Sequence, residues 1–101
     1  MSTIKNINPS EARELIQSYE IIILDVRAPW EFAEGHIKNA KNLDFTDPEF
    51  SDNLKKLDKN KKYLVYCKTG RRGAMALKTM KNIGFNNLYN LIGGYNAWNG
   101  D

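Results

Sequence analysis

The chain has 101 residues, 42% hydrophobic and 11% aromatic, with 15 Lys+Arg against 12 Asp+Glu and a net charge of +3. That length fits one domain, residues 1–101, and the apolar content suffices for a packed core, which excludes a disordered or low-complexity chain. The single cysteine excludes an internal disulfide, and Cys67 with His36 falls short of the ligand set a structural zinc ion needs.

Helical and strand patterns alternate along the chain. Asn8-Pro9-Ser10-Glu11 reads as a helix start: Asn8 caps, Pro9 takes the first helical position and Glu11 closes a capping box. Ala12, Leu15, Ile16 and Tyr19 follow at helical spacing. Residues 21–25 form a continuous apolar strand, the pattern of a sheet covered on both faces. Pro29 opens a short helix that runs through Glu34 and stops at Gly35. Asp47-Pro48-Glu49 starts another, with Phe50, Leu54 and Leu57 on one side. Residues 63–67 are the second clear strand. Residues 72–83 are a helix with Ala76, Met80 and Ile83 inward, ended by Gly84. Residues 88–91 read as a last strand, and Gly93-Gly94 turns into a short helix carrying Tyr95 and Trp98. The alternation predicts an α/β domain with a mostly parallel central sheet and helices on both faces.

No apolar run approaches the ~20 residues of a membrane span. Met1-Ser2-Thr3-Ile4-Lys5-Asn6 has no apolar stretch after its charge, so no secretory signal is expected. The expected location is the cytoplasm, in keeping with a free cysteine. Lys55, Lys56, Lys59, Lys61 and Lys62 read as a solvated face, and without interleaved aromatics they do not suggest nucleic-acid binding. A mild positive field favours small anionic substrates.

Cys67 stands where a strand ends and a helix has not begun, at the carboxyl edge where parallel α/β sheets bind ligands. The loop reads Cys67-Lys68-Thr69-Gly70-Arg71-Arg72-Gly73. Gly70 permits a tight curl that turns backbone N–H groups inward, and the following helix adds the positive end of its dipole. Lys68, Arg71 and Arg72 add charge. Each feature favours thiolate over thiol, so Cys67 is expected to be a reactive nucleophile rather than a buried core thiol.

This loop resembles the Cys-x-x-Gly-x-Arg active-site loop of the rhodanese domain, a sulfurtransferase fold. The stretch from Leu24-Asp25-Val26-Arg27 through Glu31-Phe32 to Gly35-His36-Ile37 resembles that family's N-terminal signature, and Gly93-Gly94-Tyr95-Asn96-Ala97-Trp98 its C-terminal one. The resemblance implies that Cys67 attacks the outer sulfur of a small anionic donor such as thiosulfate, becomes a persulfide, and passes the sulfur to cyanide, a thiol or a protein acceptor. It implies no metal and no organic cofactor. Arg72 would pair with the donor's sulfonate, assisted by Lys68 or Arg71, with Thr69 and Gly70 in the same binding loop. The family often has Ser or Thr where this chain has Gly73, which removes a hydroxyl able to cap the helix. Its Pro-Gly turn is replaced by Lys38-Asn39, where Asn39 can take a left-handed position.

His36 is read as structural, because an anion nest generates a thiolate without a base. Asp25, Arg27 and Glu31 are read as one hydrogen-bonded ion network bracing the loops. Trp30, Phe32, Tyr95 and Trp98 are assigned to core and pocket wall, and Tyr66 should face opposite to its strand neighbours. Three other functions compete: a phosphatase or arsenate reductase, a persulfide carrier serving a protein partner, and a non-catalytic binding module of the same fold. Four residues separate Cys67 from Arg72, one fewer than a Cys/Arg oxyanion loop needs, and a binding module commonly lacks the cysteine.

Overall fold

The strand leading to the cysteine buries both its faces. Tyr63, Val65 and Cys67 enter one apolar cluster while Leu64 and Tyr66 enter another, as side chains alternating along extended backbone must. A computed structural model describes residues 2–98 of the chain. In chain order it contains β1 (Thr3–Ile7), α1 (Pro9–Ser18), β2 (Ile21–Asp25), α2 (Pro29–Glu34), β3 (Lys41–Asn42), α3 (Phe50–Lys55), β4 (Lys62–Tyr66), α4 (Arg71–Ile83), β5 (Asn87–Leu91) and α5 (Gly94–Ala97). The ends of the expected domain, residue 1 and residues 99–101, lie outside the described residues.

Among the described residues the sheet has five strands in the order β1-β5-β4-β2-β3, and every pairing is parallel. On one face Phe50 and Leu54 of α3 and Ala76, Leu77 and Met80 of α4 pack over Leu24, Val65 and Leu88. On the other, Ala12 of α1 and Trp98 after α5 pack over Ile23, Leu64 and Leu91. Coverage of both faces explains the unbroken apolar runs of β2 and β4.

The capping box of α1 is present: Asn8 Oδ1 accepts the Glu11 N–H at 2.8 Å, and Glu11 Oε1 accepts the Asn8 N–H at 3.0 Å. Asn39 takes the left-handed conformation, with φ 69°. Several boundaries differ from expectation. Tyr19 is not on the inward face of α1 but caps its end in an extended conformation, half exposed, with the Lys62 ammonium over its ring. Helix α3 begins at Phe50 because Asp47 accepts the Glu49 N–H through its side chain and the Phe50 N–H through its carbonyl, holding the preceding residues in turns. Leu57 therefore falls beyond that helix and reaches the core from a following turn. Cys67 lies one residue past β4, Arg71 already belongs to α4, and Trp98 follows α5 rather than riding on it. Strands β1 and β3 have no counterpart in the sequence reading.

Candidate active site

Strands β5, β4 and β2 are neighbours, and their carboxyl ends bring the Gly93-Gly94, Cys67 and Asp25–Arg27 segments to one edge of the sheet. Cys67 is buried there, with 1% of its surface exposed. Its Sγ accepts the Gly70 N–H at 3.0 Å. That bond requires the loop to double back, and Gly70 does so at φ 108°, in the left-handed region that favours glycine. Lys68, Thr69 and Arg71 remain exposed around the sunken sulfur.

The start of α5 holds the loop from the other side. The Tyr95 N–H donates to the Cys67 carbonyl at 2.7 Å and the Asn96 N–H to the Lys68 carbonyl at 3.0 Å. Gly94 makes this approach possible. A Cβ there would overlap the Cys67 carbonyl oxygen and lie 2.6 Å from the carbonyl group of Lys68. The paired glycines are thus the seat of the cysteine loop as well as a turn signal.

The expected single ion network is two separate pairs. Arg27 grips Asp25 with Nε at 3.0 Å and Nη2 at 2.7 Å, and Nη2 also donates to the Gly35 carbonyl at 2.7 Å. Its guanidinium lies 4.6 Å from the centre of the Tyr95 ring. Glu31 instead pairs with Arg72, through bonds of 2.9 and 3.2 Å, while its Oε1 also accepts the Ala28 N–H at 2.9 Å. The Arg72 hydrogen bonds hold the Glu31 carboxyl down at about 2, and the same bonds raise the Arg72 guanidinium above its ordinary range. The Arg72 guanidinium, which the family resemblance assigns to the donor's sulfonate, forms two parallel bonds to the Glu31 carboxylate. The partner lies 41 residues away in sequence, beyond any local pattern.

Tyr66 is fully buried, and its hydroxyl oxygen accepts the Ile37 N–H at 3.0 Å. Burial pushes its ionisation well above the ordinary tyrosine range. His36 is exposed, stacks on Phe32 with ring centres 3.7 Å apart, and places Nδ1 2.8 Å from the Phe32 carbonyl oxygen. It serves the end of α2 rather than Cys67.

Beside the loop lies a cleft of about 250 Å³, lined by Arg27, Trp30, Glu34, Lys68, Tyr95 and Asn96 among others. Trp30 is 66% exposed, so it is cleft wall and not core. The sequence reading did not assign Glu34 and Asn96 to the cleft. Glu34 follows Trp30 at helical i,i+4 spacing and Asn96 sits beside Tyr95, which are the signals that could have found them. A larger groove of about 530 Å³, near Arg13, Ile16, Ile37 and Trp98, includes no residue of the cysteine loop. Among the described residues no cluster of His, Cys, Asp and Glu could hold a metal ion.

Gly73, where the family often has Ser or Thr, lies in the first turn of α4. It is buried, and a Cβ there would overlap Oδ1 of Asn90. The missing hydroxyl is therefore accompanied by an amide that fills the same space.

The chain is similar to known proteins over most of its length. The model of the rhodanese-like domain matches residues 8–101. A curated protein named thiosulfate sulfurtransferase GlpE, from Coxiella burnetii, is 38% identical over 93% of this chain and 86% of its own length. Its namesake from Pseudomonas putida is 33% identical over 97% of this chain and 87% of its own. A crystal structure of a rhodanese-like domain protein from Staphylococcus aureus superposes with a TM-score of 0.82 at 35% identity, covering 96% of this chain and 92% of that one.

Proposed function

The chain belongs to the rhodanese-like domain family, and from that premise we propose that Cys67 carries sulfane sulfur from thiosulfate, or a similar small anion, to a thiophilic acceptor. Sulfur transfer is the activity named for its GlpE relatives over more than nine-tenths of this chain. The observation that carries the assignment to Cys67 is its buried Sγ, which accepts the Gly70 N–H at 3.0 Å inside a loop with exposed Lys68 and Arg71.

In the first half-reaction the Cys67 thiolate attacks the outer sulfur of thiosulfate. A new S–S bond forms on Cys67, the sulfur–sulfur bond of the donor breaks, and sulfite leaves with the electron pair. In the second, cyanide or a thiolate attacks the outer persulfide sulfur. Thiocyanate or a new persulfide departs and the Cys67 thiolate is restored. Backbone N–H groups of the loop stabilise the sulfur anion in both states. Lys68 and Arg71, at the surface, attract the donor, while Arg27, held by Asp25 and the Gly35 carbonyl, braces the wall of the cleft. Arg72 shapes the loop through Glu31 rather than holding the donor. An unpaired working thiol is in keeping with a reducing compartment, which supports a cytoplasmic location. No helix among the described residues is long and apolar enough to cross a membrane.

Thiocyanate production from thiosulfate and cyanide tests the assignment. Wild type turns over and Cys67→Ser does not; turnover retained by Cys67→Ser would refute it.

A further inference from the structure

We propose that Asn90 is a positioning residue for the Cys67 loop and that residue 73 is glycine to admit it, a reading that rests on Cys67 being the sulfur carrier. Asn90 lies on β5 and is only 4% exposed. Its Nδ2 donates to Asn6 Oδ1 on β1 at 3.0 Å and to the Gly70 carbonyl at 3.4 Å. Gly70 is the residue whose N–H donates to Cys67 Sγ. One side chain therefore links an edge strand to the residue that holds the sulfur.

Gly70 needs such a restraint. It sits at φ 108° and ψ −17°, and glycine resists rotation about these angles less than any other residue. Its carbonyl also receives the Ala74 N–H at 3.0 Å, which opens α4. With the carbonyl held from two directions, the N–H at the other end of the residue stays aimed at the sulfur. Without Asn90, Gly70 can rock and the bond to Sγ lengthens.

The other end of the Asn90 amide explains why this residue is not merely filling space. Oδ1 is buried and has no hydrogen-bond partner. A buried unpaired acceptor lowers stability, and an apolar side chain of the same shape would avoid that cost. What the amide supplies instead is the pair of Nδ2 bonds. Oδ1 also occupies the volume that a Cβ on residue 73 would take, so only glycine leaves the amide in place.

Steady-state kinetics of thiosulfate–cyanide turnover on folded variants tests this. Asn90→Ala is expected to lower kcat about tenfold and leave the thiosulfate KM within about twofold, because the surface cations are untouched. Asn6→Ala, at an exposed position, should lower kcat about threefold with KM unchanged. The double variant should be no slower than Asn90→Ala, since both act through one relay. Gly73→Ala should slow the wild type and add nothing to Asn90→Ala, where the space is free. A folded Asn90→Ala enzyme with kcat near wild type would overturn the proposal, as would losses that multiply in the double variant or that fall on KM. If Asn90→Ala does not fold, Asn6→Ala decides: reduced kcat supports the relay and wild-type kcat refutes it. Cys67→Ser, measured alongside, separates the two levels. Activity retained there overturns the carrier reading itself, whereas an inactive Cys67→Ser beside an unaffected Asn90→Ala overturns only the relay.

Discussion

Glu31 and Arg72 meet through two hydrogen bonds of 2.9 and 3.2 Å, which join the first turn of α2 to the first turn of the helix that follows the cysteine loop. Both residues border the sulfur site, yet each is occupied with the other. The pair sets the height of the loop against α2, and it makes the stability of the protein depend on acid in a defined way.

Folded, the Glu31 carboxyl is held at about 2 by its bonds to Arg72. In the unfolded chain a glutamate titrates near about 4.3. The folded value is the lower one, so the contribution is complete above about pH 4.3 and disappears as the pH falls through about 2. Glu31→Gln keeps an oxygen for the Ala28 N–H but loses the charge. Urea unfolding should show wild type ahead of this variant by about 1–3 kcal/mol at neutral pH. The gap should shrink steadily below about pH 4. A gap that stays constant down to the lowest pH would show that the pair does not titrate.

The division of labour among the loop cations predicts opposite kinetic signatures. Arg72→Lys keeps the charge but loses the planar fork, so the loop shifts and kcat falls more than KM rises. Lys68→Ala and Arg71→Ala remove surface charges from the donor's approach. Each should raise the thiosulfate KM about fivefold, the upper end of what a solvent-exposed ion pair contributes, with kcat within about twofold. Added salt should weaken the Lys68 and Arg71 effects. The reverse pattern, with KM raised mainly in Arg72→Lys, would return Arg72 to the donor.

Gly94 should be the glycine least tolerant of change near the site. Its φ is 57°, and a Cβ would overlap the Cys67 carbonyl oxygen. Backbone strain and steric overlap together predict a loss of about 2–4 kcal/mol for Gly94→Ala, with turnover reduced in the fraction that folds. Gly84 is the control. Its φ is 118° but the nearest atom to a Cβ is Lys59 Cδ at 3.6 Å, so only strain remains. Gly84→Ala should cost about 1–2 kcal/mol and leave turnover per folded molecule unchanged. Equal effects at the two positions, read from denaturation midpoints, would mean that contact with the loop adds nothing.

Much of this architecture is legible in local pattern. The capping box at Asn8 and Glu11, the apolar runs of β2 and β4, and the glycine in the cysteine loop each act within a few residues. What could not be read depends on partners distant in sequence. Strand β1 offers only Ile4 and Ile7 as apolar residues and exists because it pairs with β5. Strand β3 is two residues long and is defined by Leu24 and Asp25 across from it. The allegiance of Arg72 to Glu31 and the fit of Asn90 against Gly73 are likewise tertiary facts. Local sequence shows which charges lie near Cys67; only the fold shows which of them are already engaged.

Intact mass after exposure to thiosulfate tests the central claim most directly. The wild-type chain should gain one sulfur atom, lose it on addition of cyanide, and show no gain in Cys67→Ser. A wild-type mass unchanged by thiosulfate, or a sulfur gained equally by Cys67→Ser, would contradict a persulfide carried on Cys67.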